Sequence, residues 1–292
     1  PRSTLCPYTT LFRSYRYWTL STLGHNTTVV DEKDSKNQSG GNLLQYVPAS
    51  FGTVGLVRGA DPFCYEEASV YDRQIVTVPG ENGDIGYTVD IFRVEGGKRH
   101  EYTLNLCLDY DIVTSCSLNL DGYSETLLPE DVRYEKPMEE LSKGYAEGRY
   151  TAYMFVKDVK YGSIENRPYL VSYVIKDKEH EGKGIHIHGV PSEGVLMIGK
   201  APSMRDTRIS FAYDLNDRKD NHWSDKLVIR KEGDNLKSSF VHVFEPFGNN
   251  EKTVVRKVEK LLKDPADEKD VLIKITCEGY TDYLFSAYDT ME

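Results

Sequence analysis

The chain has 292 residues, 39% of them hydrophobic and 28% charged, with a formal net charge of −10. That length and mix suit a globular chain with one large β domain or two ordinary ones. They exclude two function classes: an acidic chain with no Lys/Arg run lacks the basic patches that nucleic-acid phosphates need, and no apolar run approaches a membrane span.

Residues 1–14 read PRSTLCPYTTLFRS. They resemble the in-frame translation of a short-read sequencing adapter, PRSTLFPYTTLFRS, from which only Cys6 departs. The expectation is a tail that is not native, to be set aside before any fold reasoning, with natural sequence from near Tyr15. Setting aside Arg2 and Arg13 makes the remainder more acidic still.

From Tyr15 onward, short extended runs alternate with turn clusters. Strands are predicted at 26–31, 53–58, 70–78, 87–94 and 100–106, then at 150–156, 169–175, 184–189, 194–199, 207–214, 226–231, 238–245, 253–261, 271–277 and 281–288. Tyr87 to Val94 is rich in β-branched and aromatic residues. It lies between the turn signals Pro79-Gly80-Glu81-Asn82-Gly83-Asp84 and Glu95-Gly96-Gly97-Lys98. Beyond the glycines, His100, Tyr102, Leu104 and Leu106 alternate with polar residues, so a hairpin on a tight Gly-Gly turn is predicted. A short helix is predicted only at 138–143, inside an acidic, Pro-containing loop over 127–148. Many short strands with no long helices between them predict an all-β fold, a large antiparallel β-sandwich.

The five cysteines (Cys6, Cys64, Cys107, Cys116, Cys277) are odd in number and include no CxxC pair, so buried free thiols are expected rather than a disulfide framework or zinc knuckle. With 21 Tyr against 10 Phe and 2 Trp, tyrosine suits half-buried strands first and sugar-binding surfaces second.

Three stretches carry a family resemblance, and they occur in that family's order. They are Gly24-His25-Asn26-Thr27-Thr28-Val29-Val30-Asp31; Tyr71 to Val78 followed by Val89-Asp90-Ile91-Phe92-Arg93-Val94-Glu95-Gly96-Gly97 and Lys98-Arg99-His100-Glu101-Tyr102; and Ser239-Phe240-Val241-His242-Val243-Phe244-Glu245-Pro246. Together they resemble the C-terminal region of the heparinase II/III-like polysaccharide lyases. The resemblance implies that residues 15–292 form the C-terminal β-sandwich of an enzyme whose N-terminal half is an (α/α) toroid. It implies an acidic polysaccharide such as a glycosaminoglycan as substrate, cleaved by β-elimination next to a uronic acid, in the periplasm or outside the cell. The Asn, His and Tyr that such chemistry needs as neutraliser, base and acid lie mainly on the toroid. No position here inherits a catalytic role, and the chain alone is expected to be inactive. The resemblance further implies zinc or another divalent cation in the intact parent, with His25 as one ligand. A single His cannot complete a tetrahedral site, so no tight metal binding is expected here. A stand-alone carbohydrate-binding or structural sandwich is the alternative.

Four further positions or pairs offer functional chemistry. His186 and His188 share one face of a predicted strand, as a chelating or catalytic pair would; a solvated pair is the plainer reading. Arg99 and His100 flank the Gly-Gly turn and could meet an anionic sugar, as could Arg205 through its fork. Trp223 could stack on a sugar or anchor a loop.

Overall fold

The computed structural model describes residues 18–36, 40–50, 52–80, 83, 85–107, 110–129, 131–132, 151–203, 223–248, 253–262 and 269–288. The adapter-like tail, Cys6, the predicted helix at 138–143, the predicted strand at 207–214 and Arg205 lie outside these residues. The described residues form three antiparallel sheets.

An outer sheet runs in the order β1 (Thr27–Val30), β6 (Arg99–Asn105), β13 (Trp223–Glu232), β12 (Val195–Pro202), β9 (Lys157–Ser163), β8 (Gly122–Thr126). A middle sheet of eight runs β2 (Asn42–Val47), β3 (Gly55–Ala60), β4 (Ala68–Pro79), β5 (Ile85–Gly96), β14 (Lys237–Phe247), β11 (Gly184–Gly189), β10 (Tyr169–Ile175), β7 (Ile112–Cys116). A third, small sheet joins β15 (Val255–Lys260), β16 (Val271–Cys277) and β17 (Thr281–Ser286).

The outer and middle sheets enclose one core around Val30, Phe92, Tyr102, Val171, Leu196, Leu227 and Phe240. A second core lies between the middle and third sheets, with Val89, Ile91 and Val243 meeting Val255, Val271, Ile273 and Ile275. A third seals the far face of the outer sheet, where Trp18, Leu23, Tyr153 and Phe155 cover Val29, Met197 and Val228. The middle sheet is therefore buried on both faces at its centre. This explains why Tyr87 to Val94, though broken by Thr88, Asp90 and Arg93, places apolar residues on both faces instead of one. Val89 and Ile91 face the third sheet, whereas Phe92 and Val94 face the outer one.

Two expectations are corrected. β5 and β6 are not a hairpin: β5 pairs with β4 and β14, and β6 pairs with β1 and β13. The Gly-Gly turn instead carries the chain across the interface from the middle to the outer sheet. Asp31 Oδ1 grips it by accepting from the amides of Lys98 (2.8 Å) and Arg99 (2.9 Å). A glycine signals a reversal; it does not say whether the two strands then pair or part. Residues 151–155, expected in a strand, form a 3-10 turn whose Tyr153 and Phe155 plug the outer-face core. The described cysteines are all free: Cys64 and Cys277 are buried, Cys107 and Cys116 partly so.

Candidate functional site

The Gly24-His25-Asn26 segment enters edge strand β1 through the 3-10 turn Thr22–Gly24. Ser21 caps that turn, its Oγ accepting from Gly24 N (3.2 Å) and donating to the Trp18 carbonyl (2.8 Å). Gly24 is required by space, because a Cβ there would sit 2.3 Å from the Trp18 carbonyl oxygen. His25 is exposed, and its Nε2–H donates to the Thr19 carbonyl (2.9 Å). In a neutral ring that leaves Nδ1 as the lone-pair nitrogen.

The segment is fastened from two sheets. Thr103 Oγ1 donates to the His25 carbonyl (2.5 Å), and the Asn105 amide donates to Asn26 Oδ1 (2.8 Å). Asn105 Nδ2 donates to the Gly24 carbonyl (2.8 Å), while from the middle sheet Arg73 Nη1 donates to the Asn26 carbonyl (2.7 Å). His25 is thus held at the surface by a rigid seat.

Behind that seat, a chain of polar groups crosses the main core. Arg73 forks onto Asp90 (2.8 and 2.7 Å), which also accepts from Tyr102 OH (2.7 Å). The Tyr102 ring stacks on His242 at 4.6 Å, and His242 Nε2 lies 2.8 Å from Tyr169 OH. Burial lowers His242 to about 4 and pushes Tyr102 well up, so at neutral pH both are uncharged. Tyr and His are the residue types an elimination uses, but Tyr102 and His242 are 0% and 1% exposed, out of a substrate's reach. Their arrangement ties the two sheets together.

Asn105 Oδ1 also accepts from Lys226 Nζ (3.1 Å). Lys226 is fully buried on the far face of the outer sheet, with its Nζ 5.5 Å from the Trp18 ring centroid. Burial lowers this ammonium to about 7. Nearby, buried Glu101 accepts from Tyr153 OH and from Arg230 Nε (2.7 Å).

The family resemblance implies a metal. Among the described residues no three His, Cys, Asp or Glu side chains gather to hold one. His25 alone does not fit the donor set of a zinc site.

The remaining predicted residues are scattered. His186 and His188 share a face of β11, with ring centroids 6.1 Å apart. His186 Nδ1 is 2.7 Å from Ser172 Oγ, and His188 Nε2 is 3.2 Å from Glu245 Oε2. Burial lowers His186. Burial would raise Glu245, but His188 and the amides of Val255 and Val254 outweigh it and hold this carboxylate below its ordinary value. His100 is buried between Ser238 Oγ (2.8 Å) and the Gly96 carbonyl (2.6 Å), so it anchors the sheet-to-sheet turn instead of meeting solvent or sugar. Arg99 pairs with Glu32 and Glu232. Trp223, half-buried at the start of β13, carries Lys157 Nζ 5.0 Å from its ring centroid.

Sequence reasoning missed Lys226 and the Arg73–Asp90–Tyr102–His242 chain. The signal for the chain was present in Asp90, a charge inside an apolar strand that has to find buried partners.

Comparison with solved structures places the architecture. The chain shares its fold with heparan sulfate lyases. Heparan sulfate lyase HepC from Pedobacter heparinus superposes with a TM-score of 0.55 at 12% identity, covering 95% of this chain and 32% of that one. A mutant of the same enzyme gives 0.56 at 12% identity, covering 97% of this chain and 33% of that one. A structure of heparinase III gives 0.53 at 14% identity, covering 94% and 31% respectively. The chain therefore spans about a third of the length of these lyases, and at such identity the likeness is one of fold. No protein-family model and no curated protein sequence matches it.

Proposed function

We propose that residues 15–292 are the C-terminal β-sandwich of a polysaccharide lyase that cleaves uronic-acid-containing polysaccharides by β-elimination. The observation that carries this reading is that nearly the whole chain superposes on one third of heparan sulfate lyases. The seated His25 adds to it. In the parent, the catalytic Asn, His and Tyr would come from an (α/α) toroid outside this chain, and His25 would lend Nδ1 to a divalent cation completed from there. The parent would act in the periplasm or outside the cell, where such polysaccharides are met. Residues 1–14 would be an adapter-derived tail.

The test is to read the source DNA upstream of the Tyr15 codon. A continuous frame into a helix-rich region supports the reading, and the reassembled enzyme should then release unsaturated uronate from heparan sulfate. A start codon or an unrelated module there overturns it and favours a stand-alone carbohydrate-binding sandwich.

A further inference from the structure

Among the described residues, the third sheet covers the centre of the middle sheet and leaves its β11 and β10 flank open. Strand β15, which among the described residues pairs only with β16, stands as a wall beside that open flank. Between them lies a hollow of about 370 Å³ with His186, His188 and Leu170 on its floor and Arg256 and Lys257 on its wall. A second hollow of about 840 Å³ shares Pro168, Lys257 and Val258 with the first, so the two form one seam along β15.

The charge of this seam opposes that of the chain. Arg256, Lys257, Lys231, Lys237 and Lys260 border it, against Glu193, Glu232 and Glu259, with Glu245 buried beneath the floor and Glu95 paired to Lys237. The whole sequence carries 36 basic and 46 acidic residues. A cationic cleft in an anionic protein concentrates field lines toward an anionic ligand. Arg256 and Lys257 are about half exposed, and their pairings with Glu278 and Glu259 are surface contacts that a ligand can replace at little expense.

The floor is built rather than incidental. Glu245 is 2% exposed and is fixed by the amides of Val254 and Val255, which are the first residues of the wall. It orients His188 and so ties floor to wall. Ser172 orients His186 in the same way. Pro168 and Leu170 supply an apolar strip beside these polar groups, the mixture that a sugar ring with one apolar and several hydroxyl-bearing edges requires.

We propose that this seam binds an acidic oligosaccharide. Its rings lie against Pro168 and Leu170, its hydroxyls bond to His186 and His188, and its carboxylate or sulfate groups face Arg256 and Lys257. The saccharide class rests on the lyase reading; the anionic character rests on the seam alone.

The experiment is calorimetric titration of the full chain with a sulfated, glucuronate-bearing hexasaccharide, and with a neutral hexasaccharide as control. The variant is Arg256→Glu with Lys257→Glu, two half-exposed positions whose reversal leaves the cores intact. The expected result is binding of the acidic probe alone, weakened by added salt, and weakened about tenfold or more in the variant. Equal affinity of variant and parent chain overturns the seam as the site. Equal binding of the neutral probe overturns the charge argument, and no binding of the acidic probe to the parent chain overturns the proposal outright. None of these results touches the lyase reading, which the upstream DNA decides.

Discussion

Replacing Lys226 with Met removes a buried amine whose protonation works against folding. Its ammonium ionises near 7 in the folded chain against an ordinary 10.5, with burial as the sole cause. Between those values the unfolded chain holds a proton on Lys226 that the folded chain has released, so stability rises with pH by about 1.4 kcal/mol per unit. Below pH 7 both states are protonated and the whole penalty, about 5 kcal/mol, is present; above 10.5 both are neutral and it is gone. At pH 7 the remaining penalty is about 4 kcal/mol, and Met forfeits only the hydrogen bond to Asn105, worth about 1 kcal/mol. Lys226→Met is therefore expected to be more stable by roughly 3 kcal/mol at neutral pH. The buried Cys64 thiol, pushed up to about 12 from an ordinary 9.0, begins to favour the unfolded state above pH 9. The clean window is therefore pH 7 to 8.5. Urea unfolding at three pH values across it should give the parent chain a rise about 2 kcal/mol larger than the variant's. Parallel curves would refute the reasoning, because they would mean that Lys226 stays charged when buried and has an anion or water to satisfy it.

Three further outcomes follow from the same structure. His242 ionises near 4 when folded against an ordinary 6.5, so its contribution is complete above 6.5 and is lost as pH falls toward 4, by about 3 kcal/mol; His242→Phe should flatten that acid limb in urea titrations. Asp72 is 2% exposed and shared by Arg58 Nε (2.8 Å) and Arg93 Nη1 (3.2 Å), so Asp72→Ala leaves two buried guanidinium groups without their carboxylate and should cost about 3–5 kcal/mol, read as a lower urea midpoint. Gly96 has φ of 105° and its Cβ would lie 2.2 Å from the Glu67 carbonyl oxygen; Gly96→Ala should destabilise by roughly 3 kcal/mol, and a midpoint unchanged from the parent chain would show that the sheet-to-sheet turn is looser than drawn.

The fold was legible where local pattern and tertiary surroundings agree. The strands at 169–175, 184–189 and 271–277 coincide with β10, β11 and β16. They fail to agree at exposed or covering positions. β2 presents Leu43, Leu44, Tyr46 and Val47 to solvent, so no one-sided alternation marks it as an edge strand. Residues 151–155 are apolar and aromatic because they plug a core from outside, and composition alone reads such a plug as a strand. The third sheet could be read as three strands but not as a separate layer, since partner choice between distant strands leaves no local trace.

The site was legible only as chemistry without geometry. His25 was singled out by its motif, yet what seats it is Asn105, Thr103 and Arg73, which lie far along the chain and on two sheets. His186 and His188 were singled out by spacing, yet what gives them a cleft is β15, distant in sequence, with Glu245 bonded to both His188 and the wall. His100 shows the converse. A histidine beside two glycines and three charges reads as a surface tip, but it is buried because the turn leaves one sheet for another. In each case a short sequence window supplied the side chain and long-range topology supplied its role. The same topology accounts for a fold shared at 12–14% identity with a heparan sulfate lyase and a heparinase III.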